Sequence, residues 1–378
     1  MTRILLATTL LLLLASTASG DEHPFTVQSV ARFDEPWALA FLPDGRMLVT
    51  EKKGNLRIVH RDGDVSRPVG GIPHVAYGGQ GGLGDVALHP DFADNRLVYL
   101  SYAEAGVGDT RGAAVARGRL VEDDRGRAAF EGVEVIWRQY PKTLGYGHYG
   151  HRLLFGGDGH LWITSGDRQK FTPAQDMQSS LGKILRLHDD GTTPQDNPFV
   201  NHREDEPLVD GGGVYDQFWS LGHRNPLGIA TDADDRLWVI EMGPSGGDEL
   251  NRIERGRNYG YPVVSNGDHY DGREIPDHDV RPEFAAPSAW WTPVISPADL
   301  IVVRSDRFPG WRGDALAAGL SSRAIVRIEL DADGAREVER HAMGQRIRGL
   351  AEGPEGAIWV LEDDRGDSDG ELLKLVPR

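Results

Sequence analysis

One pattern recurs along this chain: an apolar strand, a tight turn built on Asp-Gly or Asp-Asp, and a second strand. Ala38 to Val59 (ALAFLPDGRMLVTEKKGNLRIV) shows it first, with a third strand after a Lys-Gly-Asn turn. Related units follow at Ala87–Ala103, Leu153–Ser165, Ile229–Ile240, Ile295–Leu330 and Leu350–Val376. A small antiparallel sheet cannot cover both of its faces alone, so repeated sheets stack on one another. Stacking around an axis leaves few exposed edges. The repeat therefore predicts an all-β chain, a six-bladed β-propeller of four-stranded antiparallel sheets spanning residues 21–378 as one domain. Two sandwiches in tandem would give the same strand spacing. Lys183–Leu187 reads as the outer strand of its unit. Phe25–Phe33, ahead of the first unit, is expected to pair with the last blade and close the ring.

Composition agrees with strands and turns, since 48 glycines and 22 prolines are more than a helical architecture tolerates. The net charge of −17 argues against nucleic acid or an anionic membrane surface as partner. Residues 1–20 read as an export signal: Thr2-Arg3, then an apolar run from Ile4 to Ala15, then small residues up to Gly20. That run is too short to span a bilayer. With no cysteine in the chain, neither a lipid-anchored cysteine nor a disulfide is available. A periplasmic or secreted protein is expected.

Loops from every blade meet at one end of a propeller, so residues far apart in sequence can share a site there. The loop Gly147-His148-Tyr149-Gly150-His151-Arg152 puts a histidine before a strand, and Asp167 follows one strand length later. A base and the carboxylate that orients it have this layout, although a histidine between glycines also serves as a plain turn residue. Further unusual stretches are Gly78–Gly84, Leu221–Pro226, Gly243–Asn251, Asn258–Pro262 and Gln345–Arg348.

In order, PWALAFLPDGRMLVTE (36–51), LGHRNPLGIA (221–230), GPSGGDELNRI (243–253) and NYGYP (258–262) resemble the soluble pyrroloquinoline quinone-dependent aldose sugar dehydrogenases, the glucose/sorbosone dehydrogenase family. The resemblance covers nearly the whole chain after residue 20. It implies a sugar-oxidising enzyme in which His148 is the general base, Asp167 orients it and Arg224 stands beside the quinone carbonyl. It places Gln80, His148, Arg224, Asn225, Asp248, Arg346 and Arg348 at the cofactor, the arginine pair suiting a tricarboxylate. Gly243 and Pro244 correspond to carbonyl ligands of a Ca2+ that would bridge protein and quinone. Glu249 and Tyr259 correspond to a second, structural calcium site.

Two positions depart from the family pattern. Ser321 stands where the family has a cofactor-binding lysine, with Arg323 or Lys142 as candidate replacements. His151, close to His148, complicates the choice of base. Arg346 and Arg348, as alternate residues of a strand, also fit a solvated face. Trp290-Trp291 reads either as a wall for a sugar ring or as core. Two other classes stay open: a calcium-dependent propeller lactonase, which would need side-chain carboxylates and amides around its metal, and a binding protein without chemistry. A separate electron acceptor is implied, because the chain has no haem-attachment motif. The sugar's identity and the choice between monomer and homodimer are not readable.

Overall fold

The computed structural model describes residues 23–200, 214–332, 334–366 and 368–378; the export signal read at residues 1–20 lies outside them. Six small antiparallel sheets form a six-bladed β-propeller, as the repeat predicts. Blade 1 is Pro36–Phe41, Met47–Glu51 and Asn55–Val59. Blade 2 is Leu83–Leu88, Leu97–Ala105, Arg111–Glu122 and Ala128–Arg138. Blade 3 is Gly150–Phe155, Leu161–Ser165, Lys183–Leu187 and Phe218–Leu221. Blade 4 is Pro226–Thr231, Leu237–Glu241, Asp248–Ile253 and Ala289–Trp291. Blade 5 is Pro297–Val302, Ala315–Gly319, Ala324–Leu330 and Ala335–Ala342. Blade 6 is Ile347–Glu352, Ile358–Glu362 and Glu371–Pro377, with Phe25–Arg32 as its outermost strand, so the first strand closes the ring as expected.

Two details differ from the expectation. Blade 1 has three strands rather than four, because the chain after Val59 leaves through an isolated bridge to Val65 and then lies along blade 2 at Gly70 and Ala129. Lys183–Leu187 is the third strand of its blade, with Phe218–Leu221 outside it.

The turns explain why strands one and two of each blade pair in one register. In blade 1 the N–H of Gly45 donates to the carbonyl of Leu42 at 2.8 Å, and the carboxylate of Asp44 takes the N–H of Arg46 at 3.0 Å. Gly45 has φ 83°, a backbone conformation open to glycine at little cost. Asp158-Gly159-His160 repeats the device in blade 3. The second strands Met47–Glu51, Leu161–Ser165, Leu237–Glu241 and Ala315–Gly319 are buried at every residue, being covered by both neighbouring blades. The hydrophobic core divides into six clusters, one per blade-to-blade interface, so it is a ring rather than a ball.

The ring has a polar centre. Arg152, from the innermost strand of blade 3, donates through Nε to the Leu227 carbonyl at 2.7 Å and through Nη2 to the carbonyls of Ala298 and Arg348. Its guanidinium faces Asp85 at 3.4 Å and Asp299 at 3.5 Å and stacks 4.0 Å from the Trp37 ring. One side chain thereby touches the other five blades.

Candidate functional site

Every innermost strand shifts register with its neighbour within its first few residues. Such bulges re-aim side chains at a sheet's end. The residues that begin these strands, together with those that end the second strands, surround one mouth of the central channel. Most of the residues singled out in the sequence lie in or next to these two groups.

His148 precedes the first strand of blade 3 with φ 49°, and Asp167 follows the second strand. His148 Nδ1 lies 2.7 Å from Asp167 Oδ1, with both residues buried. The Asp167 carboxylate also accepts the N–H groups of Gln169 at 2.9 Å and Phe171 at 3.2 Å, so its own position is fixed. With Nδ1–H donated to Asp167, the lone pair of Nε2 is available to a ligand in the cavity that His148 lines. Burial pushes the His148 pKa below its usual value; the Asp167 hydrogen bond opposes this, and the Arg224 charge adds to it. The imidazole is therefore neutral near pH 7, as a base must be. Gln80 Oε1 accepts the His148 N–H at 2.7 Å, which fixes the loop from blade 2.

His151 is a different kind of histidine. It is buried, stacked on Trp37 with ring centres 5.0 Å apart and bonded through Nδ1 to Ser101 Oγ at 2.7 Å. Burial, with Arg152 beside it, lowers its pKa to about 3. Gly150, at φ 65°, turns the chain between the two. Only His148 combines a cavity wall with an orienting carboxylate.

Arg224 is buried next to this pair. Its Nη1 donates to the carbonyls of Met242 at 2.9 Å and Gly243 at 2.5 Å, and its backbone N–H to Glu241 Oε2 at 2.6 Å. Glu241 in turn accepts from His223 Nδ1 at 2.8 Å, and His223 Nε2 meets Ser220 Oγ at 2.8 Å. This Ser-His-Glu chain has the outline of a nucleophilic triad, yet Ser220 is 0% exposed, so it braces Arg224. Chain order does not announce it, because its members sit on two strands and a loop.

Two cavities open side by side at the mouth. One, of about 210 Å³, is lined by Gln80, Asn225, Arg346 and Arg348 and also by Lys52 and Arg365. The other, of about 240 Å³, is lined by His148, Arg224 and Pro244. Arg346 and Arg348 both pair with Asp363, at 2.8 and 3.0 Å, and so turn inward rather than toward solvent. Lys52 and Arg365 were missed in the sequence; the signal was their place one and two residues after a second strand and its following Asp. Three buried polar atoms here lack a partner among the described residues: Arg224 Nε, Asn225 Oδ1 and Tyr149 Oη. Buried polar groups are rarely left so, and a polar ligand seated at the mouth would satisfy them.

The remaining expected residues stand behind this wall. Asp248 uses both carboxylate oxygens on backbone N–H groups, Gly243 at 2.9 Å and Ser296 at 2.7 Å. Burial raises its pKa to about 6. Glu249 is wholly enclosed, and burial, with Glu241 close by, holds its pKa far above the usual carboxylate range. Asn251 Oδ1 nearby is buried and unpartnered, while the Tyr259 carbonyl meets His278 Nε2 at 3.1 Å. A buried carboxyl beside an unpartnered amide oxygen suits a hard cation.

Neither suggested replacement for the family lysine lines these two cavities. Lys142 is tied to Glu104 at 2.5 Å and to the Ala105 carbonyl at 2.8 Å, and Arg323 reaches the Gly344 carbonyl at 3.3 Å. Ser321 itself bonds Ser296 Oγ at 2.7 Å. Trp290 and Trp291 lie on the outermost strand of blade 4, and neither lines these cavities. Trp291 is buried and donates to Glu337 at 2.6 Å, which fits the core reading.

The sequence signature of the family described as Glucose / Sorbosone dehydrogenase matches residues 33–374. The chain belongs to the glucose/sorbosone dehydrogenase family. The aldose sugar dehydrogenase YliI of Escherichia coli (strain K12) is 38% identical over 355 residues, covering 92% of this chain and 91% of that relative. The apo-form crystal structure of the soluble aldose sugar dehydrogenase from Escherichia coli matches with a TM-score of 0.85 and 37% identity over 94% of this chain and 100% of that one. The PQQ-bound aldose sugar dehydrogenase of Streptomyces coelicolor matches with a TM-score of 0.72 and 28% identity, covering 93% of this chain and 98% of that one. Among the described residues no helix is long and apolar enough to cross a membrane.

Proposed function

We propose that this family member is a quinoprotein oxidoreductase that oxidises aldose sugars at C1 to lactones. It would use pyrroloquinoline quinone and Ca2+ and pass electrons to a separate acceptor. The export signal read at residues 1–20 supports a periplasmic or secreted location. The observation that carries the reading is the buried, neutral His148, oriented by Asp167 and set beside Arg224 in a cavity wall.

His148 Nε2 takes the proton of the C1 hydroxyl, and Asp167 holds the imidazolium that results. Arg224, held by Glu241 and the Met242 carbonyl, stabilises negative charge at the mouth. The chain's residues suit an anionic quinone, because the 210 Å³ cavity gathers Lys52, Arg346, Arg348 and Arg365 against Glu35 and Asp363. The unpartnered Arg224 Nε and Asn225 Oδ1 would complete their hydrogen bonds on it. When bound, the quinone supplies a two-electron acceptor for the C1 hydride. The carbonyls of Gly243 and Pro244 would hold one calcium; Glu249 and the Tyr259 carbonyl would hold the structural one.

The test is to titrate the calcium-loaded mature chain with pyrroloquinoline quinone, follow its absorbance, and then add an aldose. Saturable binding followed by bleaching to the quinol is expected. Binding without reduction by any aldose would leave a quinone-binding protein. Failure to bind, accompanied by lactone hydrolysis, would favour the lactonase.

A further inference from the structure

Two aromatic rings wall the 240 Å³ cavity beside His148 and Arg224, and packing does not account for them. Phe171 is 44% exposed and Tyr270 77% exposed, although both line that cavity. Leaving a large apolar side chain in water forgoes about 1.5–3 kcal/mol of burial. Phe171 is strained as well, with φ 64° and ψ −87°. Such a conformation costs a non-glycine residue of order 1–3 kcal/mol and persists only where its surroundings impose it.

The surroundings here can be named. Asp167, which orients His148 through Oδ1, takes the Phe171 N–H on Oδ2 at 3.2 Å. One carboxylate therefore sets both the histidine and the backbone that presents the Phe171 ring. That ring meets His269 edge-on, with centres 5.7 Å apart. Tyr270 comes from another blade, on a turn closed by His269 N–H to the Arg273 carbonyl at 3.0 Å. A two-stranded ribbon, Ser245–Gly246 with Gly267–Asp268, anchors that turn. The Tyr270 hydroxyl accepts from Arg224 Nη2 at 3.3 Å. Gln169, Asp271 and Arg273 supply polar groups around the same cavity.

We propose that Phe171 and Tyr270 form the apolar platform for the sugar ring and so determine the preference for cyclic aldoses. An aldopyranose has C–H faces and a rim of hydroxyls. Its faces suit aromatic rings, and its rim suits the amide and charged groups between them. The inference rests on the sugar-oxidising reading above and adds which side chains hold the ring while C1 stands at His148.

The test measures steady-state kinetics with an aldopyranose and quinone affinity by absorbance titration. The variants are Phe171→Ala, Phe171→Leu, Tyr270→Ala and Tyr270→Phe. Loss of ring contact made equally in ground and transition states raises KM and spares kcat. Phe171→Ala and Tyr270→Ala should each raise KM about tenfold, with kcat and quinone affinity within about twofold of the parent. Phe171→Leu, which keeps apolar bulk, should fall between parent and alanine. Tyr270→Phe keeps the ring and loses only the contact to Arg224, so its KM should rise less than that of Tyr270→Ala, with any loss falling on kcat. Unchanged KM in both alanine variants would overturn the proposal, as would a matching fall in quinone affinity, which would assign the rings to the cofactor. Tyr270→Phe as impaired as Tyr270→Ala would reduce Tyr270 to a hydroxyl holding Arg224. If the parent chain binds quinone and oxidises no aldose, the enzymatic reading itself fails; if it turns over normally and only the KM shifts are missing, the platform alone fails.

Discussion

Arg152 and His148 are four residues apart in the chain, and the polar networks around them are completed to different degrees. At the channel centre, Asp85 accepts the N–H groups of Val86 and Leu153, and Asp299 those of Leu300 and Leu350. Each aspartate thus ties its own inner strand to the next blade, while Arg152 bonds backbone carbonyls of blades 4, 5 and 6. None of these side chains has an unpartnered buried atom. At the mouth, Arg224 Nε, Asn225 Oδ1 and Tyr149 Oη are buried without partners. A completed buried network makes one geometry the stable one, whereas an incomplete one is costly until something binds. The difference separates residues whose bonds tie the blades together from residues whose bonds a polar ligand at the mouth would complete.

His148→Ala should have the largest effect. Removing a general base typically costs 10²–10⁴-fold, so turnover of the quinone-loaded chain should fall by about that factor while its thermal midpoint stays near the parent's. Near-normal turnover would remove His148 from the chemistry. Arg152→Ala should do the reverse. Removing one partner of a buried ion pair costs about 3–5 kcal/mol, because two enclosed aspartates are left facing each other. Denaturant unfolding should show that loss, and a stable Arg152→Ala chain would break the contrast between the two networks.

Protonation offers a finer probe of the mouth. The His148 pKa lies below 6.5 because burial outweighs its bond to Asp167. Below its own pKa the imidazole carries a proton and cannot accept another, so the acid limb of kcat/KM should fall at a pH under 6.5. Asp167→Asn removes a group that raises this pKa and also the acceptor that fixes the tautomer. The limb should move to lower pH while its plateau drops. A limb that stays in place would show that some other group sets it.

How much of this was readable in the sequence follows from the same physics. The ring was readable because strand alternation and Asp-Gly turns are local signals, repeated in each blade. That His148, Asp167 and Arg224 stand together was readable through motif context and chain order. The Arg152 hub was not, since an arginine in a strand gives no hint that the partners of its guanidinium come from residues 85, 227, 298, 299 and 348. His151 could not be separated from His148 because the turn at Gly150 that stacks one on Trp37 beneath the 210 Å³ cavity and sets the other against Asp167 is a three-dimensional fact. The tryptophan pair stayed open between two readings for a related reason: Trp290-Trp291 is a conspicuous aromatic dipeptide, but its strand is the outermost of its blade, where Trp291 is buried and Trp290 exposed. Phe171 and Tyr270, each isolated in sequence, face the cavity instead.

The smallest expected effect concerns the cation missing at Ser321. Lys52 lines the 210 Å³ cavity from blade 1, where its Nζ donates to Glu35 Oε1 and the Gly79 carbonyl, both at 3.1 Å. Its charge is shared with Glu35, so a carboxylate in the cavity would draw it only in part. Ser321→Lys would add a full cation on blade 5 and remove the hydroxyl now bonded to Ser296. A partly exposed ion pair is worth about 0.2–1 kcal/mol, so quinone affinity should rise by no more than about fivefold, and the gain should shrink with added salt. Lys52→Gln should lower affinity by a comparable factor, and the double variant should return close to the parent. A Lys52→Gln chain that binds quinone as tightly as the parent would leave Arg346, Arg348 and Arg365 to hold the anion, and the mouth would then tolerate Ser321 without any substitute cation.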